Sequence, residues 1–244
     1  MIYKIAVMSD VHANLPALTR VLEDIKKEKC DRVYHIGDAI GIGAFPKETL
    51  DVMLKENIIM IMGNHEYYYL TKGFQFPKGT TKGEVDHHKW VRKELGIKYQ
   101  EAVSKFPVLE NDKLVGLNLG FIHYVVDPEG KEPLSFKDVK EDLTETNIDA
   151  FFQLEGYDII FFGHQHHPLL ECRGKETGTR YVNPSALGCQ RGSFANYSIL
   201  EINETGFNIR HKEVTYEKDK AVKALDLRKV PAKEYIKKII YGRT

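Results

Sequence analysis

The segment DIIFFGHQHHP, residues 158–168, runs an apolar stretch into a glycine and three histidines within four positions. The chain holds 10 histidines in 244 residues, so such density at the end of one apolar run calls for a chemical reason. Imidazole, carboxylate and carboxamide groups gathered at one point form a donor set for divalent transition metals. Four further apolar runs end in such groups: SDVHAN with Asp10 and His12, GDAIG with Asp38, GNHE with Asn64 and His65, and FIHY with His123. With 19 glycines and 10 histidines, a G-H-x-H such as Gly163 to His166 is expected by chance about 0.03 times per chain. A single histidine, asparagine or aspartate after a strand is ordinary turn chemistry. Five such endings in one chain are not.

These residues act together only if the elements that carry them end in one place. The first half alternates strand and helix signals. IYKIAVMS, DRVYHIGD and IIMIMGNHE read as strands, and LPALTRVLEDIKKEK (with Pro16 in its first turn) and FPKETLDVMLKEN as helices. That order predicts parallel strands joined by crossovers, and ligands in open α/β sheets bind at the carboxyl ends of strands. A glycine there permits a sharp turn, after which alternate residues aim two imidazoles at one point. Residues 66–105 read as helix or loop, with FQFPKGTTKG an exposed loop. From KLVGLNLGFIHY onward β-type segments dominate: YDIIFFG, HPLLECR, TRYVNP, NYSILEI and FNIRHKEV, with helical stretches at 136–156 and 217–240. The expectation is a single α/β (α+β) domain over 1–244, a two-sheet β-sandwich flanked by helices in four α/β/β/α layers, with 215–244 a C-terminal helical extension.

Composition narrows the partners. Lys+Arg and Asp+Glu are both 35, so no global basic excess favours nucleic acid or an anionic membrane surface. Hydrophobic residues at 42% and charged residues at 29% suit an ordinary globular chain. No segment reaches the ~18 apolar residues of a membrane span, and the N-terminal run carries Asp10 and no cleavage pattern. Cys30, Cys172 and Cys189 are odd in number and lack C-x-x-C spacing. They signal neither a disulfide framework nor a zinc knuckle, and reduced thiols point to a cytoplasmic protein.

The motif order D-x-H, G-D, G-N-H-[DE], H, G-H-x-H resembles that of the calcineurin-like metallophosphoesterases, matched in Asp10/His12, Gly37/Asp38, Gly63 to Glu66, His123 and Gly163 to His166. The resemblance extends to the small prokaryotic branch of that family through DAIGIGAFPKETLDVM, HKWVRKEL and VNPSALGCQRG…NYSILEI, and covers residues 1 to about 202. Tyr124 stands where the family has glycine, NPSA replaces N-P-G-S, and Ile42 replaces a frequent aromatic. These departures bear on the substrate pocket rather than on the metals.

The resemblance implies a metal-dependent phosphohydrolase acting on a phosphodiester or phosphomonoester, with a small phosphoester as substrate. Asp38 would bridge two cations about 3.5–4 Å apart. Asp10, His12 and His166 would complete one metal, and Asn64, His123 and His164 the other. A bound water would attack phosphorus, while His65, outside both shells, would protonate the leaving oxygen or hydrogen-bond the phosphoryl group. The N/O donor set suits Mn, Fe, Ni or Zn better than Ca or Mg. Asn14 either orients a ligand or caps the helix that follows it. Arg191 either holds a phosphate oxygen or forms a surface salt bridge. Tyr67, Tyr68 and Tyr69 either stack on a substrate or pack their helix. His35, His87, His88 and His167 are expected outside the shell, His35 by strand alternation. Two other readings share the fold: hydrolysis of a dinucleoside polyphosphate or cyclic nucleotide, and a non-catalytic scaffold like the retromer subunit, which would have a damaged metal set.

Overall fold

In the first strand, YKIAVM, alternation sorts the side chains: Ile5 and Val7 enter one apolar core, while Ala6 and Met8 enter another. A strand buried on both faces belongs in the middle of a layered structure. The computed structural model, which describes residues 2–71, 80–126, 142–166 and 169–242, places it there. One sheet has the order β10 (Gly206–Thr215), β9 (Phe194–Asn203), β1 (Tyr3–Met8), β2 (Arg32–His35), β3 (Ile59–Met60). The pairs β1–β2 and β2–β3 are parallel, as the alternation predicts, and β9 runs antiparallel to β1. The second sheet has the order β4 (Leu109–Leu114), β5 (Leu117–Ile122), β6 (Ile159–Phe161), β8 (Arg180–Asn183), β7 (Leu170–Arg173). Both sheets are mixed.

Three apolar cores separate four layers. Ile5, Val7, Tyr34, Ile36, Phe121, Phe161 and Leu200 fill the space between the sheets, with the Tyr34 and Phe121 rings stacked at 3.9 Å. The outer face of the first sheet packs on α1 (Leu15–Glu28), α2 (Pro46–Lys55), α4 (Lys82–Leu95) and α7 (Lys218–Leu227). Helix α1 buries Ala17, Leu18, Val21, Leu22 and Ile25, the spacing of one helical face, and Pro16 sits in its first turn. The outer face of the second sheet, with Ile160, Phe162 and Tyr181, packs on Ile148 and Phe152 of α6 (Ile148–Phe152).

Element boundaries differ from the expectation in two places. The strand predicted over 58–66 ends after Met60, because α3 (Asn64–Leu70) begins at Asn64 and draws the GNHE motif into its first turn. Within 136–156, the described residues are helical only at α6; 127–141 lie outside them. Most of the FQFPKGTTKG loop also lies outside them. The C-terminal stretch is helical as expected, with α7 followed by α8 (Lys233–Tyr235) and a π-helical turn over Ile236–Ile240; short α5 (Gln100–Val103) precedes β4. None of the described helices is long and apolar enough to cross a membrane.

Candidate metal centre

The strand ends converge on one carboxylate oxygen. Asp38 Oδ2 lies 3.7 Å from His12 Nε2, 3.4 Å from His123 Nε2 and 3.9 Å from His65 Nε2. On one side, Asp10 Oδ1 stands 3.7 Å from His12 Nε2 and 3.4 Å from His166 Nε2, and those two nitrogens are 2.7 Å apart. On the other, Asn64 Oδ1 is 3.2 Å from His123 Nε2 and 3.0 Å from His164 Nδ1. The seven residues expected around the cations, and His65, are therefore one contiguous cluster with Asp38 at its middle. Among the described residues three sets of donors converge within 4.8 Å: His12, Asp38 and His65; Asp38, His123 and His164; and His12 and His166 with Cys189, which lies outside that cluster.

The backbone is strained to make this convergence. Asp10 (φ 53°), His12 (φ 47°), Asp38 (φ 60°) and His164 (φ 70°) all occupy the left-handed region, which is uncommon outside glycine although aspartate and histidine enter it more readily than most residues. Gly163 itself is not left-handed. Its reason is close approach: a Cβ there would collide with Ser9 Oγ and stand 2.9 Å from Asp10 Oδ2. The turn expected at the glycine is thus made one residue later, by His164.

Neighbouring groups fix the rings. The His123 Nδ1–H donates to Ile36 O at 2.8 Å, which leaves Nε2 facing Asp38 and Asn64. Glu66 clamps the Asp38 turn by accepting four backbone N–H groups, from Asp38 (2.8 Å), Ala39 (2.9 Å), Ile40 (3.2 Å) and Gly63 (3.0 Å). Burial and the Asp38 charge raise the Glu66 carboxyl to about 7 even though the backbone N–H groups that it accepts favour the anion. Burial would push Asp10 and Asp38 up as well, but His166 holds Asp10 well below the usual carboxylate range, and His123 does the same for Asp38. Burial lowers His12 to about 4, with help from His166, and His164 to about 4, with help from His123. Against burial, the Asp38 charge raises His123 to about 9, and Cys189 and Asp10 raise His166. Two buried carboxylates are thus balanced by two imidazoles that favour the protonated form.

The remaining sequence candidates divide. Asn14 accepts from Ala17 N and donates to Gly188 O at 2.9 Å and Tyr216 Oη at 3.1 Å, so it caps α1 and ties it to the loop before Cys189. Arg191 is exposed and lines a cavity of about 630 Å³ that His166 and Cys189 also line. Tyr69 packs in the core and donates to Gly96 O. Tyr68 instead turns toward the centre, its ring 5.9 Å from that of His65. His88 of α4 was expected outside the shell and joins none of the donor sets, and its ring lies 5.0 Å from both His65 and Tyr68. His87 faces Pro231 O, and His167 lies outside the described residues. His35 joins none of the three donor sets. Its ring is buried near enough to feel Asp10, His123 and Asp38, and burial lowers it to about 3. Cys189 is the donor that sequence reading missed, and the proximity of His88 to His65 is a contact it did not foresee. Cys189 sits in VNPSALGCQRG without any spacing partner, and His88 is brought in only by the packing of α4 on α3.

Comparison with known proteins decides the family. The calcineurin-like phosphoesterase superfamily domain matches residues 3–205. The chain belongs to that superfamily. It is therefore a metal-dependent phosphoester hydrolase, and the donor clusters are candidate metal-binding groups. An uncharacterised protein of Methanocaldococcus jannaschii is 28% identical over 239 residues, with 93% of each chain covered. Among solved structures, a hypothetical protein of Pyrococcus horikoshii is similar at a TM-score of 0.80 and 20% identity, covering 99% of this chain and 100% of that one. A metallophosphoesterase of Sphaerobacter thermophilus is similar at 0.71 and 20% identity, covering 96% of each. Both share the fold.

Proposed function

We propose that this chain hydrolyses a small phosphodiester or phosphomonoester at a dinuclear centre bridged by Asp38. The observation that carries the reading is the position of Asp38 Oδ2, 3.7 Å from His12 Nε2 on one side and 3.4 Å from His123 Nε2 on the other. The residues fit cations. Asp10 Oδ1 is fully buried and has no hydrogen-bond partner among the described residues, yet it faces two imidazole nitrogens. A divalent cation would satisfy that oxygen and replace the protons that His123 and His166 favour. Asp10, His12 and His166 would hold one ion, Asn64, His123 and His164 the other, with Asp38 between. Mn, Fe, Ni or Zn suit these donors. When bound, such ions polarise a phosphoryl oxygen and lower the pKa of a water.

The protein's own part is to position and to exclude. Asp38 Oδ1 accepts the His65 backbone N–H at 2.9 Å, so His65 is fixed relative to the bridge. Burial holds the His65 imidazole well below its ordinary pKa, and so neutral near pH 7. A neutral ring still carries one N–H, which suits it to hydrogen-bond a phosphoryl oxygen rather than to supply the leaving group's proton. His88 and Tyr68 pack on that ring and restrict its rotation. The intact donor set favours an enzyme over a scaffold. The chain's neutral balance and reduced thiols suit a cytoplasmic enzyme acting on small substrates.

Aryl and alkyl phosphodiesters and monoesters, assayed with manganese-loaded parent and His65→Ala, test this. Loss of one donor to the phosphoryl group should slow every ester by about 10²–10³-fold. A deficit that grows steeply as the leaving group becomes more basic would make His65 the proton donor instead. No hydrolysis of any ester by the parent would overturn the reading.

A further inference from the structure

The third donor set contains a thiol that no sequence motif points to. Cys189 Sγ lies within 4.8 Å of ligand nitrogens of both His12 and His166, and the residue is 7% exposed. Its loop is pinned to the end of β1: Leu187 N–H donates to Ser9 O and Gly188 N–H to Asp10 O, both at 2.9 Å, and Asn14 donates to Gly188 O. The segment therefore runs beside the very residues that carry Asp10 and His12. Independently, Asp10 Oδ1 is buried without a hydrogen-bond partner and faces the same two imidazoles. The thiol thus converges on the same two imidazoles that the unpartnered carboxylate oxygen faces.

We propose that Cys189 is a thiolate ligand of the cation held by Asp10, His12 and His166. The assignment rests on the metal-centre reading above and adds to it a soft donor on one ion alone. The other ion's donors, Asn64, His123 and His164, supply only nitrogen and oxygen. On coordination the S–H bond breaks, the sulfur electron pair goes to the cation, and the proton passes to buffer. A thiolate selects zinc, cobalt or iron over manganese, so the two positions differ in metal preference. The N/O-only donor set expected from sequence is amended at one of its two positions.

Cobalt(II) reports this directly. The full chain, stripped with chelator and reloaded with cobalt, is compared with Cys189→Ser and with a Cys30→Ser/Cys172→Ser double variant. The parent and the double variant should show near-ultraviolet thiolate-to-cobalt charge-transfer absorption. Cys189→Ser should lose that absorption while metal analysis still finds bound cobalt. Cobalt X-ray absorption on the parent, which needs no variant, should show sulfur in the coordination shell. A cobalt-loaded parent without charge-transfer absorption or sulfur scattering overturns the thiolate and leaves the metal centre standing, as does a band that survives in Cys189→Ser. A parent that takes up no cobalt overturns both.

Discussion

Replacing Glu66 by Gln removes a charge and changes almost no volume, so it isolates the clamp on the Asp38 turn. In the parent, four backbone N–H groups point at two carboxylate oxygens. A glutamine has one oxygen and one NH₂, so two of those donors, either the Asp38 and Gly63 pair or the Ala39 and Ile40 pair, face another donor. Each buried N–H left without an acceptor costs about 1–3 kcal/mol, and the two that remain paired lose the strengthening that a charged acceptor gives. The sum is about 3–6 kcal/mol, a large part of the roughly 5–15 kcal/mol that holds a domain together. At roughly 2–4 °C per kcal/mol for a chain of this size, the melting temperature should fall on the order of 10 °C. The assay is thermal unfolding of metal-free Glu66→Gln beside the parent, at equal pH and ionic strength. Metal titration should also show weaker binding, because the turn that presents Asp38 loosens. A variant as stable as the parent, with unchanged metal affinity, would refute the clamp.

Two further outcomes follow from the same geometry. Gly163→Ala drives a methyl into Ser9 and toward Asp10, so it should destabilise the protein by about 1–3 kcal/mol, read by denaturant unfolding, and displace His164 enough to lower metal occupancy. In the metal-free protein, His12, His87, His88 and His164 are lowered to about 4 and His35 to about 3, mainly by burial. The unfolded chain therefore binds more protons between pH 6.5 and about 4, and stability at those sites is lost as pH falls through that window. His123 and His166, which are raised, act in the opposite direction as pH rises above 6.5. Denaturant midpoints measured against pH after chelation should fall from pH 6.5 toward pH 4, and a flat profile would contradict the burial of these rings.

Much of the centre was legible because its residues end predictable elements. Asp10, His12 and Asp38 follow parallel strands whose alternation is visible, and His164 and His166 follow an apolar run whose glycine is forced by close approach to Ser9. What escaped depends on long-range packing. That β9, nearly two hundred residues away, pairs with β1 is not written in either segment, and it is the chain leading into β9 that carries Cys189 to His12. His88 looks like a helix-surface residue until α4 docks on α3. The third strand stops at Met60 because it pairs with β2 alone at the sheet edge, and the motif behind it satisfies Glu66 and Asp38 better as a helix start.

In the proposed centre one carboxylate oxygen serves two cations, and metal content tests that bridge most directly. Parent, His65→Ala and Asp38→Ala are stripped, reloaded with cobalt under identical conditions, desalted and analysed for metal per chain. In the proposed assignment Asp38 Oδ2 serves both ions, whereas His65, although its Nε2 converges with His12 and Asp38, ligates neither, so the parent and His65→Ala should hold about two ions and Asp38→Ala should lose both. An Asp38→Ala protein that retains the parent's metal content, or a parent that binds a single ion, would contradict the bridged centre.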